Sequence, residues 1–242
     1  MPRPTIVLVH GAWADASSWN AVASELQSQG FTVFGPPNLL RGVATDSAYI
    51  ASFLAQRTSG PVVLVGHSYG GFVITNAATG GGDLRALVYV DAFVPDEGET
   101  VFQILGGSGS ALDVPDPTTV LDLVGYPGGP QDDAEAFLKP DAVHNSFAQD
   151  LSEADRWLIV ESQRPITLSA NTTPSATAAW KTLPSWAVVG TEDRVIPPDT
   201  QRHMAERAGA TITNVAGSHV SMVSHPRVTI DAILAAVAAV GD

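Results

Sequence analysis

Val62-Val63-Leu64-Val65-Gly66-His67-Ser68-Tyr69-Gly70-Gly71 decides the reading of this chain: a β-branched apolar run leads directly into Gly-x-Ser-x-Gly, and a helix-compatible segment follows. A sharp strand-to-helix turn of this kind lifts a serine hydroxyl out of a sheet and holds its backbone in strained geometry. Small residues are needed at Gly66 and Gly70, where a side chain would collide with neighbouring backbone. The helix N-terminus also favours negative charge developing during acyl transfer, because unpaired N–H groups and the helix dipole face it. Ser68 is therefore the candidate nucleophile.

Working outward, short β-branched runs at Thr5–Val9, Phe31–Phe34, Val62–Val65, Ala86–Val90, Trp186–Val189 and Thr211–Val215 read as strands. They alternate with helical segments at Trp19–Gln29, Ser47–Gln56, Gly70–Ala78, Thr200–Ala208 and Arg227–Val240. Most of the strands are uniformly apolar, which suits a parallel sheet covered on both faces, and this order implies an α/β doubly wound, mostly parallel sheet with right-handed crossovers. The rhythm stops after Val90. Residues 95–184 carry Gly106-Gly107-Ser108-Gly109-Ser110, Tyr126-Pro127-Gly128-Gly129-Pro130 and no strong strand run. A loop that long is unusual inside a compact domain. The expectation is a mainly helical cap at 95–184, inserted over the strand ends, with a core formed by 1–94 and 185–242. Its expected ordered pieces are Asp132–Leu138, Phe147–Asp150 and Glu153–Gln163; Ser152-Glu-Ala-Asp155 reads as a capping box, and the 106–110 run as a mobile loop.

With 242 residues, 45% of them hydrophobic, the chain can bury one sizeable core. A formal net charge of −13, with only 12 Lys and Arg, argues against nucleic acid or an anionic membrane as partner and favours a neutral or weakly charged small molecule. The Thr5–Val9 run is too short for a signal-peptide core or a bilayer span, so the expected location is cytoplasmic. Zero cysteines exclude a disulfide scaffold, a thiolate nucleophile and Cys-ligated zinc. No His/Asp spacing on one helix makes a metal site.

A serine nucleophile needs a base and a group to orient it, both beyond the carboxyl ends of parallel strands. Trp186-Ala-Val-Val-Gly-Thr-Glu-Asp193 places an acid where a strand exits, and Thr211-Ile-Thr-Asn-Val-Ala-Gly-Ser-His219 repeats the logic one strand later. Asp193 and His219 are the candidates; Glu192 and Asp91 are rival acids and His225 a rival base, although His225 sits before Pro226 where a helix cap is expected. His10 and His67 read as loop braces, His144 and His203 as solvated. The oxyanion hole should use the amide after the nucleophile and one from the loop after the first strand, here Tyr69 and Ala12. Trp13, Tyr69, Phe93, Phe102, Phe137, Trp157 and Val220 are the candidate pocket residues.

His10-Gly-Ala-Trp13, Gly66-His-Ser-Tyr-Gly-Gly71, Gly190-Thr-Glu-Asp-Arg-Val-Ile-Pro197 and Gly217-Ser-His219 together resemble the α/β-hydrolase superfamily, whose order Ser, Asp, His they follow. Within it the chain is most similar to the plant methylesterase and hydroxynitrile lyase branch and its bacterial esterase relatives. The resemblance spans the sheet core and includes Phe147–Asp155 of the insertion. It favours Asp193 as the acid and leaves Asp91 as a loop anchor. It implies a Ser-His-Asp mechanism through an acyl-enzyme, without metal or organic cofactor, and admits a homodimer, as related enzymes often pair. Lyase members carry threonine where Gly11 stands and lysine where Val220 stands, so cyanohydrin cleavage is disfavoured. Haloalkane dehalogenases use an aspartate nucleophile, which Ser68 argues against. The expected function is hydrolysis of small, fairly apolar esters. The alternatives are a cofactor-free perhydrolase or haloperoxidase using the same triad, and a slow-turnover ligand receptor.

Overall fold

The apolar runs do form strands, and the computed structural model, which describes residues 3–240, pairs six of them in one parallel sheet. Residues 1, 2, 241 and 242, which the expected core segments include, lie outside the described residues. Strand β1 (Thr5–Val9) leads through a 3₁₀ turn at Ala16–Trp19 to α1 (Asn20–Ser28), β2 (Val33–Phe34), α2 (Val43–Arg57), β3 (Pro61–His67), α3 (Gly70–Ala77) and β4 (Asp83–Val90). Then come α4 (Val101–Leu105), β5 (Leu121–Val124), β6 (Glu135–Leu138) and α5 (Pro140–Ala142), which runs into a π-helical turn at Val143–Phe147. After it follow α6 (Glu153–Ser162), β7 (Ile166–Thr167) and α7 (Leu168–Thr172). The chain finishes with β8 (Ser185–Gly190), α8 (Pro198–Arg207), β9 (Thr211–Val215), α9 (Ser221–Ser224) and α10 (Pro226–Val240). Among the described residues no helix is long and apolar enough to cross a membrane.

The parallel sheet runs β2-β1-β3-β4-β8-β9. Successive strand side chains point to opposite faces, so the complete burial of Val62, Val63, Leu64 and Val65 requires cover on both sides. Helix α10, apolar along its length, lies against β4 and β8. Each buried Val or Leu contributes about 1.5–3 kcal/mol relative to exposure, which makes β3 the best-anchored strand. Val9 pairs with Gly66, Gly66 with Tyr89, Val90 with Val188 and Gly190 with Val215. The carboxyl ends of β1, β3, β4, β8 and β9 therefore finish level, and the loops leaving them meet.

The segment between β4 and β8 is mainly helical, as expected, with one feature the expectation lacks. It contains a three-stranded antiparallel sheet, β5-β6-β7, besides its helices. Within Asp132–Leu138 the ordered part is β6, a strand, because Ala136 and Leu138 are buried while Glu135 and Phe137 are half-buried, a period of two. Phe147–Asp150 closes the π-helical turn, and Glu153–Gln163 is ordered as α6. Ser152 caps α6 through the Asp155 amide (3.2 Å), but Asp155 accepts the Ser152 hydroxyl (2.6 Å) instead of reaching back to its amide. The reciprocal box lies at Thr100 and Gln103, ahead of α4. Nor is the glycine-rich 106–110 run a loose loop: the Gly107 amide donates to Asp113 (2.7 Å), and the buried Ser110 hydroxyl donates to the Val195 carbonyl (2.7 Å).

The turn after β3 is built on close backbone approach. A Cβ at Gly66 would meet the Gly70 carbonyl oxygen at 2.7 Å, and one at Gly70 the Val9 carbonyl oxygen at 2.6 Å. At Gly71 it would lie 2.0 Å from the Phe93 carbonyl oxygen, backbone against backbone with no side chain free to yield. Gly71→Ala should therefore cost about 3 kcal/mol or more of unfolding free energy in urea, at the upper end for overpacking. An unchanged midpoint would contradict this close approach.

Candidate active site

The level strand ends bring Ser68, His219 and Asp193 together, all three buried. Ser68 holds φ at +52°, the left-handed region that a non-glycine residue rarely enters. Its amide donates to the Val90 carbonyl (3.3 Å) and its carbonyl accepts from Gly71 (2.9 Å) and Phe93 (3.3 Å), which hold the strained turn. The Ser68 hydroxyl donates to Nε2 of His219 (2.8 Å), and Nδ1–H of His219 donates to Oδ2 of Asp193 (2.7 Å). The carboxylate fixes that tautomer, leaving Nε2 free to accept a proton.

Asp193 is held by more than the imidazole. Its Oδ1 accepts from the amides of Val195 (2.8 Å) and Ile196 (3.0 Å), and its Oδ2 accepts from the Gln201 side chain (2.7 Å). Burial pushes this carboxyl upward, and the Ile196 and Val195 amides and Gln201 oppose that shift. Asp91, the rival acid, is also buried but takes the anchoring role: its oxygens accept from the amides of Gly190 (2.8 Å) and Ser221 (2.9 Å). Burial raises its carboxyl well above the ordinary range, and the nearby Asp193 charge raises it further. Glu192 is exposed at the loop surface. His219 is neutral at rest, its pKa lowered by burial to about 3.

The other histidines divide as expected, with one exception. His67 donates from Nε2 to the His219 carbonyl (2.7 Å), bracing the loop that carries His219, and burial first and His219 second drive its pKa well below the ordinary value. His225 and His203 are exposed, and His225 precedes α10. His144 is not solvated: it is half-buried, with its ring edge-on to Trp157 at 4.8 Å.

His10 accepts the Asn38 amide at Nε2 (2.9 Å), so its Nδ1–H donates to the Gly11 carbonyl (2.9 Å). Burial lowers its pKa from 6.5 to about 4. The unfolded chain takes up this proton below pH 6.5 and the folded one resists it, so the stabilisation is complete above 6.5 and is lost as pH falls toward 4. The stability advantage of the wild type over His10→Gln in urea should shrink by about 3 kcal/mol between pH 7.5 and 4. A gap that does not move with pH would contradict the buried neutral imidazole.

The amides of Ala12 and Tyr69 have no hydrogen-bond partner among the described residues, and both residues line the same cavity as Ser68. Trp13 turns the chain there with φ +58°, its amide donating to the Arg164 carbonyl (2.9 Å) and its indole N–H to that of Ala136 (2.8 Å). A Cβ at Gly11 would lie 2.6 Å from Cβ of Ser68, so this backbone has no room for a threonine.

The cavity over Ser68 holds about 400 Å³, within the range of small-molecule sites. Of the expected pocket residues, Trp13, Tyr69, Phe93 and Phe102 line it. Tyr69 presents its ring only, because its hydroxyl donates to the buried Asp46 (2.9 Å). Phe137, Trp157 and Val220 do not line it. Strand alternation turns Ala136, not Phe137, toward the space, and Trp157 is 45% exposed on α6. Val220 faces a separate crevice between α6 and the loop after β1. Sequence reasoning missed the aliphatic wall supplied by Val101, Leu105, Leu112, Leu121, Ile166 and Leu168. It also missed Gln201 on Asp193 and Phe147, whose ring lies edge-on to His219 at 5.2 Å. The Gln201 signal was available, since α8 begins directly after the Asp193 loop and its first turn must face that loop.

A family model described as "Alpha/beta hydrolase family" matches residues 6–232. A carbendazim hydrolyzing esterase of Nocardioides sp. (strain SG-4G) is 34% identical over 111 residues, a match covering 41% of this chain and 46% of that protein, less than half its length. Methylesterase 2 of Arabidopsis thaliana is 26% identical over 249 residues, covering 95% of this chain and 94% of the relative. Among solved structures, polyneuridine aldehyde esterase superposes with a TM-score of 0.80 at 22% identity, over 96% of this chain and 98% of that one, a likeness of fold.

Proposed function

The chain belongs to the alpha/beta hydrolase family, and from that premise we propose that it is a serine carboxylic-ester hydrolase acting on small, fairly apolar esters. The observation that carries this reading is the relay Ser68–His219–Asp193, with hydrogen bonds of 2.8 and 2.7 Å, at the wall of a cavity otherwise lined mostly by aliphatic and aromatic side chains. The names of the Nocardioides and Arabidopsis relatives point the same way.

In this reading Ser68 Oγ attacks the ester carbonyl as His219 Nε2 takes its proton, and Asp193 stabilises the imidazolium that results. The unpartnered amides of Ala12 and Tyr69 receive the oxyanion. His219 then gives the proton to the leaving alcohol, and water repeats the sequence on the acyl-enzyme. Residues 95–184 serve as the cap that excludes bulk water and shapes the pocket. Cyanohydrin cleavage is disfavoured, because Gly11 leaves no space for threonine, Val220 brings no cation, and among the described residues no Lys or Arg lines the cavity.

A p-nitrophenyl ester series from acetate to decanoate tests the substrate class. A cavity of about 400 Å³ predicts turnover with an optimum at short to medium acyl chains and decline toward decanoate. No hydrolysis by the folded protein across the series would contradict the reading. Peroxide-dependent halogenation, or tight ligand retention without product, would move it to the perhydrolase or receptor alternative.

A further inference from the structure

We propose that Asp150, which the inserted segment delivers to the triad, is a positioning residue for the base: its carboxylate fixes the His219 loop through the Ser218 amide. The proposal rests on the reading of His219 as the proton carrier. Three neighbouring positions of that loop are gripped by three different parts of the chain. The Ser218 amide donates to Asp150 Oδ2 (3.0 Å), the His219 carbonyl accepts from His67 (2.7 Å) and the Ser221 amide donates to Asp91 (2.9 Å). His67 and Asp91 belong to strand ends of the sheet, whereas Asp150 comes from the insertion.

The same stretch also holds the acid's loop. The Gln149 side chain donates to the Glu192 carbonyl (2.7 Å), and Arg194 donates to the Asn145 carbonyl (2.7 Å). Phe147, between these contacts, sets its ring edge-on to the His219 imidazole at 5.2 Å. The π-helical turn at Val143–Phe147 makes the crossing possible, since its extra residue shifts the side chains that follow; such turns recur at functional sites. Burial by itself would raise the Asp150 carboxyl, but its hydrogen bonds from Ser218 hold it below the usual range, so the acceptor stays ionised. Ser218 directly precedes His219 and follows Gly217, whose amide donates to the Val215 carbonyl (2.9 Å) and whose carbonyl accepts from the Glu192 amide (3.1 Å), so the Asp150 contact is the hold that the insertion adds. Loss of this hold lets the imidazole drift from Ser68 Oγ.

The test compares Asp150→Ala, Asp150→Asn and Asp150→Glu in the full chain, with thermal unfolding followed in parallel. A misplacement of about 1 Å costs up to about a hundredfold, so Asp150→Ala should lose about tenfold to a hundredfold in kcat with KM within about twofold. Asp150→Asn keeps an oxygen acceptor and should restore most of kcat; Asp150→Glu displaces the acceptor by one methylene and should fall with alanine. A second readout needs no substrate: the downfield Nδ1–H proton resonance of His219 should broaden in the Ala and Glu variants and stay sharp in the Asn variant. An alanine variant with wild-type kcat and an unchanged resonance overturns the proposal, as does an asparagine variant as impaired as alanine. If the alanine variant does not fold, the Glu and Asn variants decide by the same two readouts. Absence of ester turnover in the wild type would count against the hydrolase reading alone, and the resonance would still judge Asp150.

Discussion

Ser68→Ala should lower ester turnover on the order of 10⁶-fold, the scale seen when a serine protease loses its nucleophile, and leave the fold intact. The substitution removes one buried oxygen whose sole side-chain partner among the described residues is Nε2 of His219, so no network collapses with it. Backbone contacts to Val90, Gly71 and Phe93 hold residue 68 in its turn and do not involve the hydroxyl. The unfolding midpoint should therefore stay close to wild type. Residual turnover, about 10³- to 10⁴-fold above water, would measure what the Ala12 and Tyr69 amides and the cavity achieve without a nucleophile. A mutant with appreciable turnover would remove Ser68 from the chemistry.

Asp193→Asn should cost on the order of 10⁴-fold in kcat, because an amide in that position favours the wrong imidazole tautomer. Oδ1 of Asp193 faces two backbone N–H donors, and Oδ2 faces Gln201 and the imidazole, so no side of it can take an amide NH₂ without two donors meeting. The two backbone donors cannot turn away; the imidazole can. The NH₂ group then points at His219, whose Nδ1 becomes the acceptor and whose Nε2 becomes protonated and unable to receive the serine proton. Asp91, the other buried acid nearby, turns its oxygens to the Gly190 and Ser221 amides instead of the imidazole. The check is kcat with a p-nitrophenyl ester beside the unfolding midpoint. A loss of less than about tenfold would shift the orienting role to another acid, with Asp91 the first to try.

The parts written as local pattern were legible. Thr5–Val9 is a strand over the expected residues, and β3 extends Val62–Val65 by a residue before and two after, because continuous apolar runs in a doubly covered sheet have little alternative; the edge strand Thr211–Val215, mostly exposed, follows its β-branched residues instead. Ser68, Asp193 and His219 could be read because each follows such a strand, and strand ends in a parallel sheet share one side. The insertion could not be read in the same way. Strand β5 is mostly exposed and β7 has only two residues, so neither carries a pattern that survives without its neighbours. The pocket suffered most. Phe137 and Trp157 suggest pocket residues only by being aromatic, yet much of the wall is made by aliphatic side chains whose facing depends on the register of a sheet the sequence did not announce. Asp150 and Gln149 lie in the stretch of the insertion that carries the family resemblance, but no local pattern gives their contacts, since their partners are backbone groups of loops 40 or more residues away.

The central claim is that Ser68 carries the acyl group between two half-reactions. Rapid quenching of a p-nitrophenyl acetate reaction, followed by mass analysis of the intact protein and its peptides, tests it most directly. The account predicts a burst of p-nitrophenol and one added acetyl group on the peptide containing Ser68, absent from Ser68→Ala. Steady hydrolysis with no adduct at Ser68, or an adduct on another residue that turns over at the catalytic rate, would contradict it.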